Sequence, residues 1–419
     1  MRIVYLHQYF NTPAMSGGTR SYEMARRFVA AGHEVHMVTS DRDPPKGRGA
    51  GWRETIESGI RVHWLPVPYS THMGYAARIR AFVRFSVSAA RKAASLGGDV
   101  VLATSTPLTI ALPGVYAARR NRIPMVFEVR DLWPEMPIAV GALRSPITIA
   151  LARGLEHFAY RNSARVVALS PGMKDGVLKS GYPADRVSVI PNSCDHDLFD
   201  VPPERGLAFR RRHAWLGARP LVLYAGTLGL INGVDYLACL AADVGTMAPD
   251  VRFLIVGSGR EEPKVRQVAA ARHVLDRSFF MMPPVLKNEM PDVLSAASVA
   301  ASVFVDLPEM RANSANKFFD ALAAGRPVAI NYGGWQADLL QGTGSGIVLD
   351  AHNMMSAARA LIDLVCDTGR LARAAGAARS LGATRFSRDK LASDLQSVLV
   401  TAVCERLAGP NAQGRNGSH

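Results

Sequence analysis

An α/β fold of two successive domains, each a largely parallel sheet covered by helices, is predicted from three observations. The chain has 419 residues, too many for one ordinary hydrophobic core. Short β-branched or apolar runs alternate with longer segments of helical spacing, the pattern that builds parallel sheets with helices on both faces. That rhythm breaks once, in a polar, proline-containing stretch from about Asp195 to Arg219, and then restarts.

In the first half the runs predict strands at Arg2–Leu6, Glu34–Ser40, Arg61–Val67, Val100–Ser105, Pro124–Asp131, Arg165–Ser170 and Val187–Pro191, with Ala-rich helices between most of them. The break holds Pro202, Pro203 and the basic cluster Arg210 to His213, so the domains are set at 1–200 and 201–385. In the second half strands are expected at Leu221–Gly226, Val251–Gly257, Phe279–Val285, Val299–Val305, Val328–Asn331 and Ile347–Asp350. A last helix at about 386–406 is followed by a polar tail, 407–419, of disordered composition. No short-period repeat is visible, which argues against a solenoid.

Composition narrows the class. Hydrophobic residues make up 48% and charged residues 20%, as in a globular protein with large cores. The opening MRIVYLHQYF is too short for the apolar stretch of a secretory signal and reads as a buried first strand. No apolar run approaches the roughly 18 to 20 residues that cross a bilayer. Cys194, Cys239, Cys366 and Cys404 lie far apart with no CxxC pair, so neither a disulfide framework nor a metal site is expected, and a cytoplasmic location fits best. The net charge of +14 favours a nucleic acid, an anionic lipid or a phosphate-bearing substrate. An Arg-rich composition drawn from a GC-rich genome explains the same number. No stacking aromatics interleave with the basic residues in a recognisable module, so no nucleic-acid partner is expected.

Five segments carry candidate chemistry. Ser16, Gly17, Gly18 and Thr19 lie between the first strand and a helix, where glycines let a ligand approach the backbone and free amides favour phosphate. A tight strand-to-helix turn explains them equally well. Gly226, Thr227 and Gly229 end the first strand of the second half, and Gly257 and Gly259 repeat the arrangement one strand later, at the strand ends where open α/β sheets bind ligands; plain turn chemistry is the alternative for either. The segment Asn316 to Val328 places Lys317 and Asp320 three apart on one helix face, with Gly325 ending the helix. A cation for a diphosphate and a carboxylate for ribose would make a nucleotide clamp; an exposed ion pair is the alternative. In Glu128 to Glu135 a buried strand runs into Arg130, Asp131, Trp133 and Glu135, charges that are costly inside a core and favour a cleft; a structural ion pair is the alternative. From Tyr75 to Lys92, Ile79, Phe82, Val83, Ser86 and Val87 follow helical spacing among Arg78, Arg80, Arg84 and Arg91. Such a helix either lies on an anionic membrane or packs its stripe on the domain. His7, at the end of the first strand, reads as a site residue or as a hydrogen-bonded interior histidine.

Together SGGTRSYEMARRFVAAGHEV, FEVRDLWPE, VIPNSCD, LYAGTLG, IVGSG and NKFFDALAAGRPV resemble, in order and spacing over nearly the whole chain, the retaining glycosyltransferases of the large family-four grouping. RDLWPE is similar to the branch that assembles O-antigen and capsule, L-fucosamine transferases among them. The resemblance implies the GT-B architecture, two Rossmann-like domains facing across a cleft. It implies a donor site in the second domain for a nucleotide sugar, with UDP as the nucleotide, formed by Gly226, Thr227, Gly257, Asn316, Lys317 and Asp320, with the Gly17 to Thr19 turn closing on the diphosphate. Asp320 matches the second acid of the family's E-x7-E motif and would hold the ribose. The first domain would take a lipid-linked or saccharide acceptor, with Trp133 and Glu135 on that side and Arg130, Asp131 and Lys317 as the catalytic groups. No cofactor or metal is implied, and a cytoplasmic protein placed peripherally at the inner membrane is the location that goes with the membrane reading of the basic helix.

The sequence also departs from the family. The first acid of E-x7-E falls on Ala312, the usual Arg and Lys after the first strand of the second domain appear as Thr227 and Asn232, and the usual His before Asp131 appears as Arg130. The diphosphate charge must be met elsewhere, by Lys317, Arg311 or Arg130. Two rivals are a UDP-sugar epimerase of the same fold and an NAD-dependent oxidoreductase; the lack of a GxGxxG followed by an acid counts against the second.

Overall fold

The computed structural model describes residues 1–15, 17–44, 51–68 and 73–408, without the side chains of 75 and 76; Ser16 and the tail from residue 409 lie outside them. The chain divides into two compact units, Met1–Pro191 with the segment from Asp389 onward, and Asn192–Arg388. The division falls at Pro191 rather than at residue 200. Asn192 to Asp195 are tied into the second unit: Asn192 N donates to Ser314 Oγ at 3.2 Å, Cys194 bridges to Ser387, and Arg388 pairs with Asp195 at 2.7 Å.

The first unit holds β1 (Arg2–Leu6), β2 (Glu34–Asp41), β3 (Arg53–Glu57), β4 (Ile60–Pro66), β5 (Val100–Thr104), β6 (Met125–Val129), β7 (Arg165–Ala168) and β8 (Val187–Val189). Its helices are α1 (Arg20–Ala30), α2 (Tyr75–Leu96), α3 (Ala111–Asn121), α4 (Glu135–Ala139), α5 (Pro146–Arg161) and α6 (Pro171–Lys179). The sheet order is β3-β4-β2-β1-β5-β6-β7-β8, parallel throughout except for β3 against β4. β1 therefore sends its chain one way to β2, while β5 continues the other way, which makes the carboxyl ends of β1 and β5 the topological switch point. Strand β3 has no counterpart among the expected strands. It is a short edge strand with Ile56 75% exposed, and it joins β4 through Ser58 and Gly59, both at positive φ, as a two-residue hairpin turn requires.

The second unit holds β9 (Leu221–Ala225), β10 (Arg252–Val256), β11 (Phe279–Met282), β12 (Val299–Ser302), β13 (Val328–Ile330) and β14 (Gly346–Val348). Helices α7 (His196–Phe199), α8 (Pro203–Arg211), α9 (Asp235–Met247), α10 (Glu262–Ala271) and α11 (Met290–Ala296) precede α12 (Asn316–Ala323). They are followed by α13 (Trp335–Thr343), α14 (Met354–Val365) and α15 (Thr368–Arg385). All neighbours in the order β11-β10-β9-β12-β13-β14 are parallel, and the switch point lies between β9 and β12. The final helix, α16 (Arg388–Ala408), runs past residue 406 and groups with the first unit from Asp389 on; Arg27 pairs with Asp389 at 2.6 Å.

One charged pair lies inside the first unit. Glu128, on β6, is fully buried, and the Arg20 guanidinium at the start of α1 donates to its Oε1 from Nε at 3.1 Å and from Nη2 at 2.9 Å. Arg20 also donates to the Ile190 and Pro191 carbonyls, and Thr104 donates to Glu128, so both ions are hydrogen-bonded on several sides. Burial opposes the charged form of Glu128, but Arg20, Arg130 and Thr104 outweigh it and hold the carboxyl below its usual range. The pair fastens α1 and the last turn before residue 192 to the middle of the sheet. Arg20→Ala, which leaves the carboxylate buried alone, is expected to cost about 3 to 5 kcal/mol in denaturant unfolding. Because the Glu128 pKa is depressed, its contribution is present above the unfolded value of 4.5 and is lost as pH falls through the folded one. Glu128→Gln should remove that part of the acid dependence.

Candidate functional site

In the second unit the site is built around α12. Phe318 and Phe319 are both fully buried, and the Phe319 ring packs 5.1 Å from Phe386 and 6.3 Å from Trp335, so the helix is wedged from two sides. The helix ends as the sequence predicts. Gly325, at φ 61°, donates to the Leu322 carbonyl and Arg326 to that of Ala321, which closes a Schellman cap. With the phenylalanines turned inward, Lys317 and Asp320 are left partly exposed.

They do not pair. Lys317 Nζ reaches the carboxyl end of β9, donating to Tyr224 Oη at 3.0 Å and lying 4.4 Å from the Tyr224 ring centre and 4.9 Å from that of Phe304. The Asn232 amide, turned with its oxygen toward the ammonium, accepts from Nζ at 3.1 Å and donates to the Thr227 carbonyl at 3.0 Å. The cation thus stands beside the position where the resemblance expects a lysine. Among the described residues no carboxylate is within salt-bridge range of Lys317. Burial among neutral groups pushes its pKa down to about 7.

The turn beneath this ammonium is backbone against backbone. A Cβ on Gly257 would lie 1.9 Å from the Gly226 carbonyl oxygen, and Leu228 N donates to the Ser258 carbonyl at 2.9 Å. Gly257 is therefore needed for the two strand-end turns to touch, while Gly226 stays within 3.6 Å of Lys317 Cε, measured from the Cβ it lacks. Thr227 is exposed at the rim and Asn316 is exposed at the start of α12. Asp320 lies toward α7 and the end of the unit. Burial pushes its carboxyl up to about 7; Arg388 and Lys287 pull it down and Asp195 raises it further. Arg311 is exposed on the 3-10 turn Pro308–Ala312.

In the first unit the polar groups gather after β1, β5 and β6. His7 and Gln8 are 3% and 1% exposed. Burial, then Arg130 and Arg42, hold the His7 pKa well below its usual value, so the ring is neutral. Arg130 Nη1 lies 3.2 Å from His7 Nε2, and since an arginine can only donate, Nδ1 carries the proton. That Nδ1, and both polar atoms of the Gln8 side chain, have no hydrogen-bond partner among the described residues. The Arg130 amide donates to Ser105 Oγ at 2.8 Å, and Thr106 Oγ1 donates to Asp131 Oδ2 at 3.0 Å. Thr106 is held at φ 88°, which a β-branched residue adopts only under constraint.

The glycine turn before α1 is fixed by Asn11, whose Nδ2 donates to the Gly18 carbonyl at 3.3 Å and would lie 2.7 Å from a Cβ on Gly17. Asn11 Oδ1 accepts from Arg42 at 2.6 Å, and Thr19, directly before the helix, is buried. Trp133 and Glu135 follow Asp131 and are half-buried. Glu135 acts on a further acid: burial and then the Glu135 charge push Glu156 up to about 7.

Two family models cover the chain, a glycosyl transferase 4-like domain over residues 17–193 and glycosyl transferases group 1 over 219–367. A D-inositol 3-phosphate glycosyltransferase from Salinispora tropica is 30% identical over 413 residues, spanning 93% of this chain and 82% of that one. The chain belongs to this glycosyltransferase family. Another D-inositol 3-phosphate glycosyltransferase, from Xylanimonas cellulosilytica, is 28% identical over 412 residues, 94% of either chain. HepE from Anabaena, solved in complex with UDP and glucose, superposes with a TM-score of 0.71 at 16% identity, over 96% of this chain and all of that one. The architecture of two Rossmann-like domains is that of the GT-B enzymes.

In this glycosyltransferase the structure brings Lys317, Gly226 and Gly257 together in one unit and Arg130 and Asp131 together in the other. It sets Asp320 apart from Lys317. Sequence reading missed Tyr224, Asn232 and Phe304 as the lysine's neighbours and left His7 undecided. Tyr224 and Phe304 were marked only by their place at or just after strand ends, and Asn232 by standing where the resemblance expects a lysine. Gly257→Ala is expected to lower stability by about 3 kcal/mol, since backbone must separate to admit the methyl group; a thermal unfolding temperature unchanged from the native protein would refute the close-approach account.

Proposed function

We propose that the second unit binds the diphosphate of a nucleotide-sugar donor, with UDP as the nucleotide, and that the enzyme transfers the sugar to an acceptor held by the first unit. The observation that carries this reading is Lys317, a cation at the β9 switch point held by neutral groups, beside a glycine turn. Such a group gains most from an anion, and it stabilises the charge that develops on the leaving diphosphate as the anomeric bond breaks. Gly226 and Thr227 lie beside the same point and Asn316 precedes Lys317 on α12; they are assigned to the donor with it, and Asp320 is assigned to the ribose hydroxyls. The turn of Gly17, Gly18 and Thr19 is assigned to the diphosphate as well. The UDP named with the HepE structure supports the choice of base.

On the first unit, Arg130 and Asp131 are assigned to catalysis, with Trp133 and Glu135 beside the acceptor. The likeness of RDLWPE to the O-antigen and capsule branch favours a lipid-linked or free saccharide acceptor in surface polysaccharide assembly. A phosphorylated polyol is a second reading, favoured by the names of the inositol phosphate relatives and by the two arginines, Arg130 and Arg42, whose charges act on a neutral His7. Family membership sets the oxidoreductase rival aside. Free sugar released without any acceptor would favour the epimerase rival.

A thermal-shift screen against UDP, GDP, ADP and dTDP tests the donor reading, because a ligand of the native state raises the melting temperature by mass action. UDP should give the largest shift. Lys317→Ala should weaken UDP binding by roughly ten- to a hundredfold, the range of a hydrogen bond to a charged group. With a pKa of about 7 the ammonium is charged below that pH and neutral above it, so UDP affinity should fall as pH rises through about 7, and the Ala variant should lack this step. Asp320→Ala with unchanged affinity would remove the ribose assignment.

A further inference from the structure

Three helices of the first unit carry an outer face that the catalytic reading does not use. α2, α3 and α5 follow β4, β5 and β6, connections that run in one direction across the sheet and so lie on one side of it. α2 packs on α3, and α3 on α5. The buried side of α2 is Ala81, Phe85, Ser86, Ala89 and Ala93, so the stripe read from the sequence is split: Ser86 packs inward, Phe82 is half-buried, and Ile79, Val83 and Val87 are turned out. Ile79, Val83 and Val87 are 43%, 56% and 50% exposed. Arg80, Arg84 and Arg91 are exposed with them.

The neighbours repeat the pattern. On α3, Leu112 and Tyr116 are exposed in line with Arg119 and Arg120. On α5, Ile147 and Leu151 are 72% and 68% exposed, next to the exposed Arg153. Seven of the fifteen exposed large apolar side chains among the described residues therefore lie on these three helices. Scattered apolar residues are ordinary on a protein surface, but a concentration of this kind marks an interaction face.

We propose that this face seats on an anionic lipid bilayer surface. Its arginines are interleaved with the apolar side chains rather than set around them, and α2 and α3 contain no Asp or Glu. A protein partner would have to desolvate those guanidinium groups, whereas at a bilayer the apolar side chains enter the headgroup boundary while the arginines reach lipid phosphates. A second copy of the chain would bring like charges together. No helix among the described residues is long and apolar enough to cross the membrane, so the contact is peripheral. It is independent of the donor assignment.

The test is sedimentation of the full-length protein with vesicles of phosphatidylcholine alone or mixed with phosphatidylglycerol. Binding to the anionic vesicles is expected, with little to the neutral ones. Arg80→Glu/Arg84→Glu should weaken it roughly thirtyfold or more, on the scale of the attraction each basic residue contributes at such a surface. Val83→Asp/Leu151→Asp should also reduce binding, and because all four side chains are exposed, the UDP thermal shift of both variants should match that of the native protein. No sedimentation with anionic vesicles, or binding that survives in both variants, overturns the proposal. So does a concentration-dependent dimer in velocity sedimentation that the same substitutions abolish without any vesicle binding.

Discussion

A parallel strand with neighbours on both sides and helices above and below has no room for charge until it ends. β5 and β12 are buried along their whole length, as are β1 after Arg2 and β9 as far as Tyr224, and polar groups gather where these strands stop: His7 and Gln8, Ser105 and Thr106, the Gly226 turn, and Lys317 reaching over from α12. Both units therefore gather these polar groups at the carboxyl ends beside the switch point, where open α/β sheets bind ligands. Glu128 is a fully buried carboxylate within a strand, satisfied by Arg20 and Thr104.

The two units handle the same constraint differently. The first uses charge, with a buried ion pair under its glycine turn and an arginine against a neutral histidine. The second uses close backbone approach, with turns packed so tightly that Gly257 admits no side chain, and a lysine held by aromatic faces and an amide. Holding an ammonium without a carboxylate is costly, and it is offset by the packing of Phe318 and Phe319 that fixes α12. An ammonium held in this way gains more from a nearby anion than one already paired with a carboxylate.

The family departures become physically intelligible in this arrangement. Asn232 stands where the resemblance expects a lysine, yet its amide touches the Lys317 ammonium at 3.1 Å. The charge has moved along the sequence while remaining at the same strand end. Motif matching alone counts this as a missing cation.

Sequence by itself determined the alternation of strands and helices, the restart after the polar break, and the Gly325 cap of α12, because these depend on local spacing and backbone freedom. It did not reveal β3, whose half-exposed RETIE run lacks the apolar character of the other strands; the Ser58–Gly59 pair was its only mark. Nor could it pair Arg20 with Glu128 across 108 residues, or tell that Lys317 turns to Tyr224 and Asn232 rather than to Asp320. It also left open whether the α2 stripe is packed or exposed. Those outcomes were decided by tertiary structure, since which side chains meet depends on which strands neighbour one another in the sheet, and helical spacing is silent about partners that lie far away along the chain.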